Sequence, residues 1–201
     1  MKREFSIAIR TTVVTLVLTG LLYPLAITAV AQGLFSAKAN GSLVKREDGE
    51  VVGSSLIGQP FTNPGYLQPR PSAAGASGYD ATASGGSNLG PTSRKLRDRV
   101  AADVERLLAA NPDAARTVPA ELVTTSASGL DPHLSPAAAF WQVPRIAKAR
   151  GVAAERVENV LRAHIRDRDL GFLGEPTVNV LRVNLALDRQ FGAPSLASPP
   201  T

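Results

Sequence analysis

Between Arg10 and Lys38 the chain carries no charged side chain; Thr11 to Ala37 is a continuous run of apolar and small polar residues. A helix needs only ~20 such residues to cross the hydrocarbon core of a bilayer. A helix packed in a soluble core would show a polar face, and this run has none. Pro24 falls inside it. Proline is tolerated there when neighbouring helices satisfy the carbonyl it leaves free, so Pro24, with Gly20 and Gly33, points to packing against partner helices. A cleavable signal peptide has the same layout, and Ala29-Val30-Ala31 suits its cleavage site. The length of the run and the internal proline favour a retained anchor. Lys2, Arg3 and Arg10 precede the run, whereas Lys38, Lys45 and Arg46 follow farther out, mixed with Glu47 and Asp48. That bias predicts a cytoplasmic N-terminus and places the rest of the chain outside the cytoplasm.

After the span the periodicity changes. Leu43-Val44 and Val51-Val52 flank Asp48-Gly49, a turn signal between two strand-like pieces. The stretch 58–92 holds prolines at 60, 64, 69, 71 and 91 and many glycines, so it is neither a long helix nor a central strand. A flexible linker is one reading. Phe61, Tyr66 and Tyr79 favour the other, an ordered surface loop. A helix opens at Pro91-Thr92-Ser93, with Leu96, Val100, Val104, Leu107 and Leu108 on one face, and ends at Asn111-Pro112. Val118 to Thr125 reads as a short strand entered through Pro119, and Ser126 to Ser135 as a polar loop. Ser135-Pro136 starts another helix, Pro144 interrupts it, and Gly151 stops it. Ala154 to Ile165 is helical in pattern, and Gly171 to Pro176 turns the chain. Val178 to Leu187 alternates as a strand should, with Leu181, Val183, Leu185 and Leu187 on one side.

Composition narrows the chemistry. Hydrophobic residues make up 44% and aromatics 5%, so the core must lean on Val, Leu and Ala. The net charge of +5, from 22 basic and 17 acidic residues, is mild. Its densest run, Arg94 to Arg106, alternates in sign as a solvated helix face does, unlike a nucleic-acid stripe. Without cysteine there is neither a disulfide framework nor a thiolate metal site. Gly85-Gly86-Ser87-Asn88-Leu89-Gly90-Pro91-Thr92 precedes a helix, but Pro91 stands where a phosphate-cradling loop needs lysine. It reads as a turn with close backbone approach, or as backbone N–H groups that hold an anion at a helix start. Asp131-Pro132-His133 suggests an acid–base pair, and Ser84 or Ser126 could serve as nucleophile only with His133 nearby. Trp141 reads as a core or interface anchor.

Several strings are long enough to be specific in their order. They are Gly53-Ser-Ser-Leu-Ile-Gly-Gln59, Arg70-Pro-Ser72, Ser84-Gly-Gly-Ser-Asn-Leu-Gly-Pro-Thr92, Val118-Pro119, Leu122-Val-Thr124, Ser128-Gly-Leu-Asp-Pro-His-Leu-Ser-Pro136, Gln142-Val-Pro-Arg145, Arg150-Gly151 and Gly174-Glu-Pro-Thr-Val-Asn-Val-Leu181. Behind one N-terminal span, this series resembles the C subunit of the Kdp potassium-transporting ATPase.

The resemblance implies a non-catalytic subunit of a high-affinity, ATP-driven potassium uptake complex. Such a subunit is needed for assembly and acts as a catalytic chaperone that raises the ATP affinity of the P-type ATPase subunit. The implied partners are that catalytic subunit, a channel-like potassium-binding subunit and a small hydrophobic subunit. ATP, shared with the catalytic subunit, is the one implied cofactor. Ser84, Gly85, Gly86, Ser87 and Asn88 distantly resemble the signature loop of ABC transporters, which contacts ATP, and form the candidate nucleotide or partner loop. No catalytic residue and no metal ligand is expected, and the DKTGT phosphorylation motif is missing from the chain.

The expected class is α+β: one transmembrane helix followed by a small mixed α/β extracytoplasmic domain. The parts are a cytoplasmic N-terminus at 1–10, the span at 11–35, the domain at 36–191 and a disordered tail at 192–201, in a single-pass protein of the inner membrane. Outside the cytoplasm ATP is scarce, so the charge bias favours assembly and gating, with the domain capping the outer mouth of the channel-like subunit. A secreted or anchored small-anion binding module built on the glycine-rich loop is the alternative, and a hydrolase using Asp131 and His133 a further rival.

Overall fold

Pro24 leaves its mark on the first element. The computed structural model describes residues 1–194, in two units, one ending at Leu43 and the other beginning at Val44. In the first unit, helix α1 (Lys2–Val17) runs into a π-helical turn (Leu18–Leu22) and then helix α2 (Tyr23–Ala39). Proline has no N–H to give to the preceding turn, and its ring crowds that turn. The ladder widens there instead, with Tyr23 N–H reaching back to the Leu18 carbonyl, a common way for helices to absorb such a defect. A second irregularity lies at Phe35, whose φ of −134° and ψ of 36° are not helical. The helix from Lys2 to Ala39 is 38 residues long, its most apolar 18-residue stretch has a mean hydropathy of 2.1, and none of its residues is buried. At 1.5 Å per residue it is roughly 57 Å long, more than a bilayer core needs.

The hairpin predicted around Asp48-Gly49 forms. Strands β1 (Leu43–Lys45) and β2 (Val51–Ser54) pair. Gly49 takes φ 87°, and Asp48 Oδ1 accepts from Glu50 N–H at 2.9 Å. Helix α3 (Arg94–Ala110) is capped by Ser93, whose side chain accepts from Leu96 N–H, and it ends at Asn111. Helices α4 (Pro136–Trp141) and α5 (Val143–Arg150) share Gln142 as their junction beside Pro144, and Gly151 closes α5 in the left-handed region at φ 64°.

Two predicted strands are overturned. Val118 to Thr125 holds a 3₁₀ turn (Ala120–Leu122) instead of a strand. Leu122 and Val123 are adjacent and both buried, which an alternating strand cannot achieve. Glu121 in that turn accepts from Ser135 N–H at 2.9 Å. Val178 to Leu187 is strand only at its start: β5 (Thr177–Asn179) gives way to helix α7 (Val180–Phe191). The Asn179 side chain accepts from Arg182 N–H and starts the helix, as an N-cap does. The buried set is Val180, Leu181, Val183, Asn184 and Leu187. Those positions repeat with helical spacing, and the alternation of leucines and valine concealed it. Helix α6 (Ala154–Ala163) stops short of the predicted Ile165, because Ile165–Arg166 form strand β4.

Strand β3 (His133–Leu134) lies inside the stretch read as a polar loop. The three short strands make an antiparallel sheet in the order β3-β5-β4. Its inner face meets α4, and α5 packs on α6 and α6 on α7. Leu134, Ala138, Ile146, Val157, Leu161, Val178, Val183 and Leu187, each at most 1% exposed, form the centre of the core. Each large side chain buried there contributes roughly 1.5–3 kcal/mol. The chain is thus α+β, a long apolar helix followed by a small domain with a sheet. Of the tail read as disordered, residues 195–201 lie outside the described residues, and Arg150 holds the carbonyl of Gly192 at 2.6 Å.

Candidate functional site

The proline-rich stretch is ordered, and polar side chains hold it by its backbone. Leu67 and Ala74 within it are fully buried. Asn184 on α7 bonds both main-chain groups of Leu67, at 2.8 and 2.9 Å. Gln142 at the α4–α5 junction does the same for Gln68, at 2.9 Å each. Arg145 donates to the carbonyls of Pro64 and Tyr66 and to Gln142 Oε1. Among the described residues no carboxylate pairs with this guanidinium, and burial pushes its pKa down to about 10, so it stays charged at neutral pH. Arg150, with a side chain 2% exposed, donates to Gly65 O at 2.6 Å, pairs with Asp188 at 2.8 Å and lies 5.2 Å from the centre of the Tyr66 ring. Gln142, Arg145 and Arg150, singled out as motif residues, therefore act as clamps on an irregular segment whose main-chain groups have no ladder to satisfy them.

The glycine-rich loop and the 126–135 loop meet in space, although Ser84 and Ser128 are 44 residues apart in the chain. Gly85 N–H donates to Ser128 O at 2.9 Å, and Ser84 Oγ donates to the same carbonyl at 3.0 Å. At Gly86 a Cβ would stand 3.0 Å from Ala127 O, and at Gly129, with φ +67°, 2.6 Å from Gly85 O. These glycines permit a backbone contact that any side chain would wedge open. Ser87 is half-buried, and Asn88 is exposed with φ 51°. All five candidate residues thus lie on one strip, with the Gly85 N–H already used within the protein.

Behind this strip Arg70 binds Asp131 at 3.2 Å and Thr125 O at 3.4 Å. Ser72 Oγ donates to Gly129 O at 2.6 Å, and the Tyr79 hydroxyl, its pKa raised by burial to about 12, donates to Arg70 O. An open groove of about 660 Å³ follows the junction, lined by Ile57, Arg70, Ser126, Ser128, Asp131 and others. Sequence reasoning assigned no role to Arg70 or Tyr79. The signal was there, an Arg-Pro string and an aromatic inside a glycine-rich stretch, but it named no partner.

Asp131 and His133 do approach each other, with Oδ1 3.6 Å from Nδ1. Interaction with His133, whose ring lies close and whose backbone N–H donates to Asp131 Oδ1 at 2.9 Å, helped by Arg70, holds the Asp131 carboxyl below the usual carboxylate range against the opposing effect of burial. The far nitrogen, Nε2, faces the Asn179 amide at 3.4 Å. Ser84 is engaged with Ser128 O, and Ser126 Oγ lies 3.4 Å from Ser128 Oγ. Among the described residues no hydroxyl is paired with His133 as a nucleophile would have to be. Trp141 is 8% exposed, and its indole N–H donates to Ala115 O at 2.8 Å, the arrangement of a core anchor. Among the described residues no three potential ligands cluster as a metal site requires.

Comparison with known proteins is consistent along the whole chain. The family described as "K+-transporting ATPase, c chain" matches residues 5–189. The potassium-transporting ATPase KdpC subunit of Myxococcus xanthus is 66% identical over 199 residues, covering 99% of this chain and 94% of its own length. Its namesake from Koribacter versatilis is 51% identical over 189 residues, covering 94% and 95%. That from Rhodopseudomonas palustris is 52% identical over 199 residues, covering 94% and 98%.

Proposed function

This chain belongs to the family of potassium-transporting ATPase C chains, and from that premise we propose that it is the accessory, non-catalytic subunit of a Kdp-type potassium uptake complex. The observation that carries the reading is the match over nearly the full length, with the two most specific strings folded against each other by Gly85, Ser84 and Ser128.

In this reading the apolar helix spans the inner membrane once, N-terminus inside, and packs on the helices of the catalytic and channel-like subunits. Its bare flanks, with Gly20 and Gly33 meeting nothing within 4 Å, suit such packing. The domain sits outside the cytoplasm and caps the mouth of the channel-like subunit. Its effect on ATP affinity is exerted through these contacts: by holding the assembly together it favours the state of the catalytic subunit that binds ATP. The strip from Ser84 to Asn88 then serves as a partner surface. Its Gly85 N–H is spent on Ser128, which leaves less of a cradle for a phosphate. Direct contact with ATP through the same strip is the competing reading.

Co-purification tests the proposal. The chain, tagged at its C-terminus and produced with its genomic neighbours under potassium limitation, is expected to bring down a P-type ATPase and a channel-like protein with potassium-stimulated ATPase activity. An intact, active pump that elutes without the chain would sink the proposal. Tight ATP binding by the chain alone, with labelling that places the domain in the cytoplasm, would favour the competing reading.

A further inference from the structure

The chain has two histidines, and folding brings both to one cavity. It measures about 350 Å³, and its lining includes His133, His164, Arg166, Thr177, Asn179 and Arg182. The strand register explains the gathering. His133 pairs with Asn179, and Arg166 with Thr177. Side chains alternate along a strand, so these four share the outer face of the sheet while Leu134, Val178 and Ile165 turn to the core. His164 immediately precedes β4, and Arg182 lies in the first turn of α7.

Among the described residues no Asp or Glu lines this cavity, and the nearby acids Asp131 and Asp169 are held in ion pairs. Asp131 stands behind His133 and is bound to Arg70 at 3.2 Å. Asp169 takes one nitrogen of Arg166, Nη2, at 2.6 Å, so this guanidinium meets a ligand partly neutralised and through its remaining N–H groups. Arg182 is exposed, and no acid of the described residues pairs with its guanidinium. His164 Nδ1 lies 2.8 Å from the Val160 carbonyl. Donation to that carbonyl fixes the proton on Nδ1, so Nε2 of the neutral ring is an acceptor, able to take the O–H of a protonated oxyanion. Asn179 is fully used, giving its amide to Ser55 O at 2.9 Å and taking Arg182 N–H, so it acts as a rigid wall. A solvated basic face would spread its arginines over a convex surface. Here Arg182, Arg166 through the nitrogens it does not give to Asp169, and the Thr177 hydroxyl line one concavity as donors, with His164 beside them as an acceptor for a protonated oxygen, a set that suits a hydrogen-phosphate-type oxyanion.

We propose that this cavity binds a phosphate-type oxyanion, with Arg182 and Arg166 as its charged donors and His164 and Thr177 completing the site. The phosphate can be free or the exposed phosphomonoester of a lipid headgroup, which presents the same oxygens. The site is separate from the Ser84–Asn88 strip and stands whether or not the assignment to the uptake complex does.

The test uses the full chain in phosphatidylcholine nanodiscs, titrated calorimetrically with sodium phosphate against sodium chloride of equal ionic strength. A parallel preparation adds phosphatidic acid to the discs, and retained lipid is counted by native mass spectrometry. Saturable phosphate binding, weakened about tenfold or more in Arg182→Gln and lost when Arg166→Gln is added, supports a free-anion site. Phosphatidic acid retention lost in the double variant, without calorimetric phosphate binding, supports a headgroup site. Both arginines are exposed, so the variants should keep their melting temperature. Arg97→Gln removes the same charge from the remote helix α3. The proposal is overturned if neither probe binds, or if Arg97→Gln weakens binding as much as Arg182→Gln, since diffuse charge would then account for it.

Discussion

Asn184 sits on the apolar face of α7, 2% exposed, and spends its amide on the backbone of Leu67. Replacing it by leucine keeps the volume but leaves a buried N–H and a buried carbonyl unpaired, each worth about 1–3 kcal/mol. Asn184→Leu should therefore lower stability by about 2–4 kcal/mol, read as a fall in the urea midpoint, despite the added hydrophobic surface. An unchanged midpoint would mean that the loop is not held there. Asp131 gives a prediction in pH. Its folded pKa lies below the usual 3.8, mainly through His133, so its pairing stabilises the domain above that value and is lost as pH falls through the lower, folded pKa. The urea midpoint of Asp131→Asn should lie below that of the parent at neutral pH, and the gap should close only below about pH 4. A gap that stays constant down to pH 2 would show that the charge of Asp131 contributes nothing.

The elements differ in how far the sequence disclosed them. Caps and stops were legible because single residues dictate them: Ser93, Ser135 with Pro136, and Gly151 act where their chemistry predicts. The stretch from Val178 was misread because Leu181, Val183, Leu185 and Leu187 fit period two, while Val180, Val183, Asn184 and Leu187 fit a helix only once a polar residue is admitted to the buried face. A buried asparagine cannot be recognised before its partner is known, and Leu67 lies 117 residues away. The candidate strip had the same fate. Its glycines were visible as turns, but their need for close approach comes from Ala127 and Gly85 across a contact that periodicity does not encode. In the first unit the proline was legible and its consequence can be tested. Pro24→Ala restores an N–H, so the turn at Leu18–Leu22 should revert to α-helical bonding, with slower amide exchange across residues 20–24 in micelles. Exchange that remains fast there would place the cause of the wide turn elsewhere.

At the scale of the molecule, every buried residue of the described chain lies at Ser55 or beyond, so the domain owns its core. A fragment of residues 44–194 should be soluble and melt in one cooperative transition, yet fail to restore potassium-stimulated ATPase activity to a complex that lacks the chain. Aggregation of the fragment would show that the helix contributes to folding. The clamps on the proline-rich stretch also bear on biosynthesis. The segment around Leu67 leaves the ribosome early, but the groups that bind its backbone, Gln142, Arg145, Arg150 and Asn184, emerge 74 to 117 residues later. Until then its main chain has only water for a partner, and closing so long a loop is slow compared with forming the local helices. A nascent chain arrested before residue 184 should thus be cut readily by protease within 58–92, and the released full chain should resist. On this account the first half of the domain should stay unclamped until the last helix has been made.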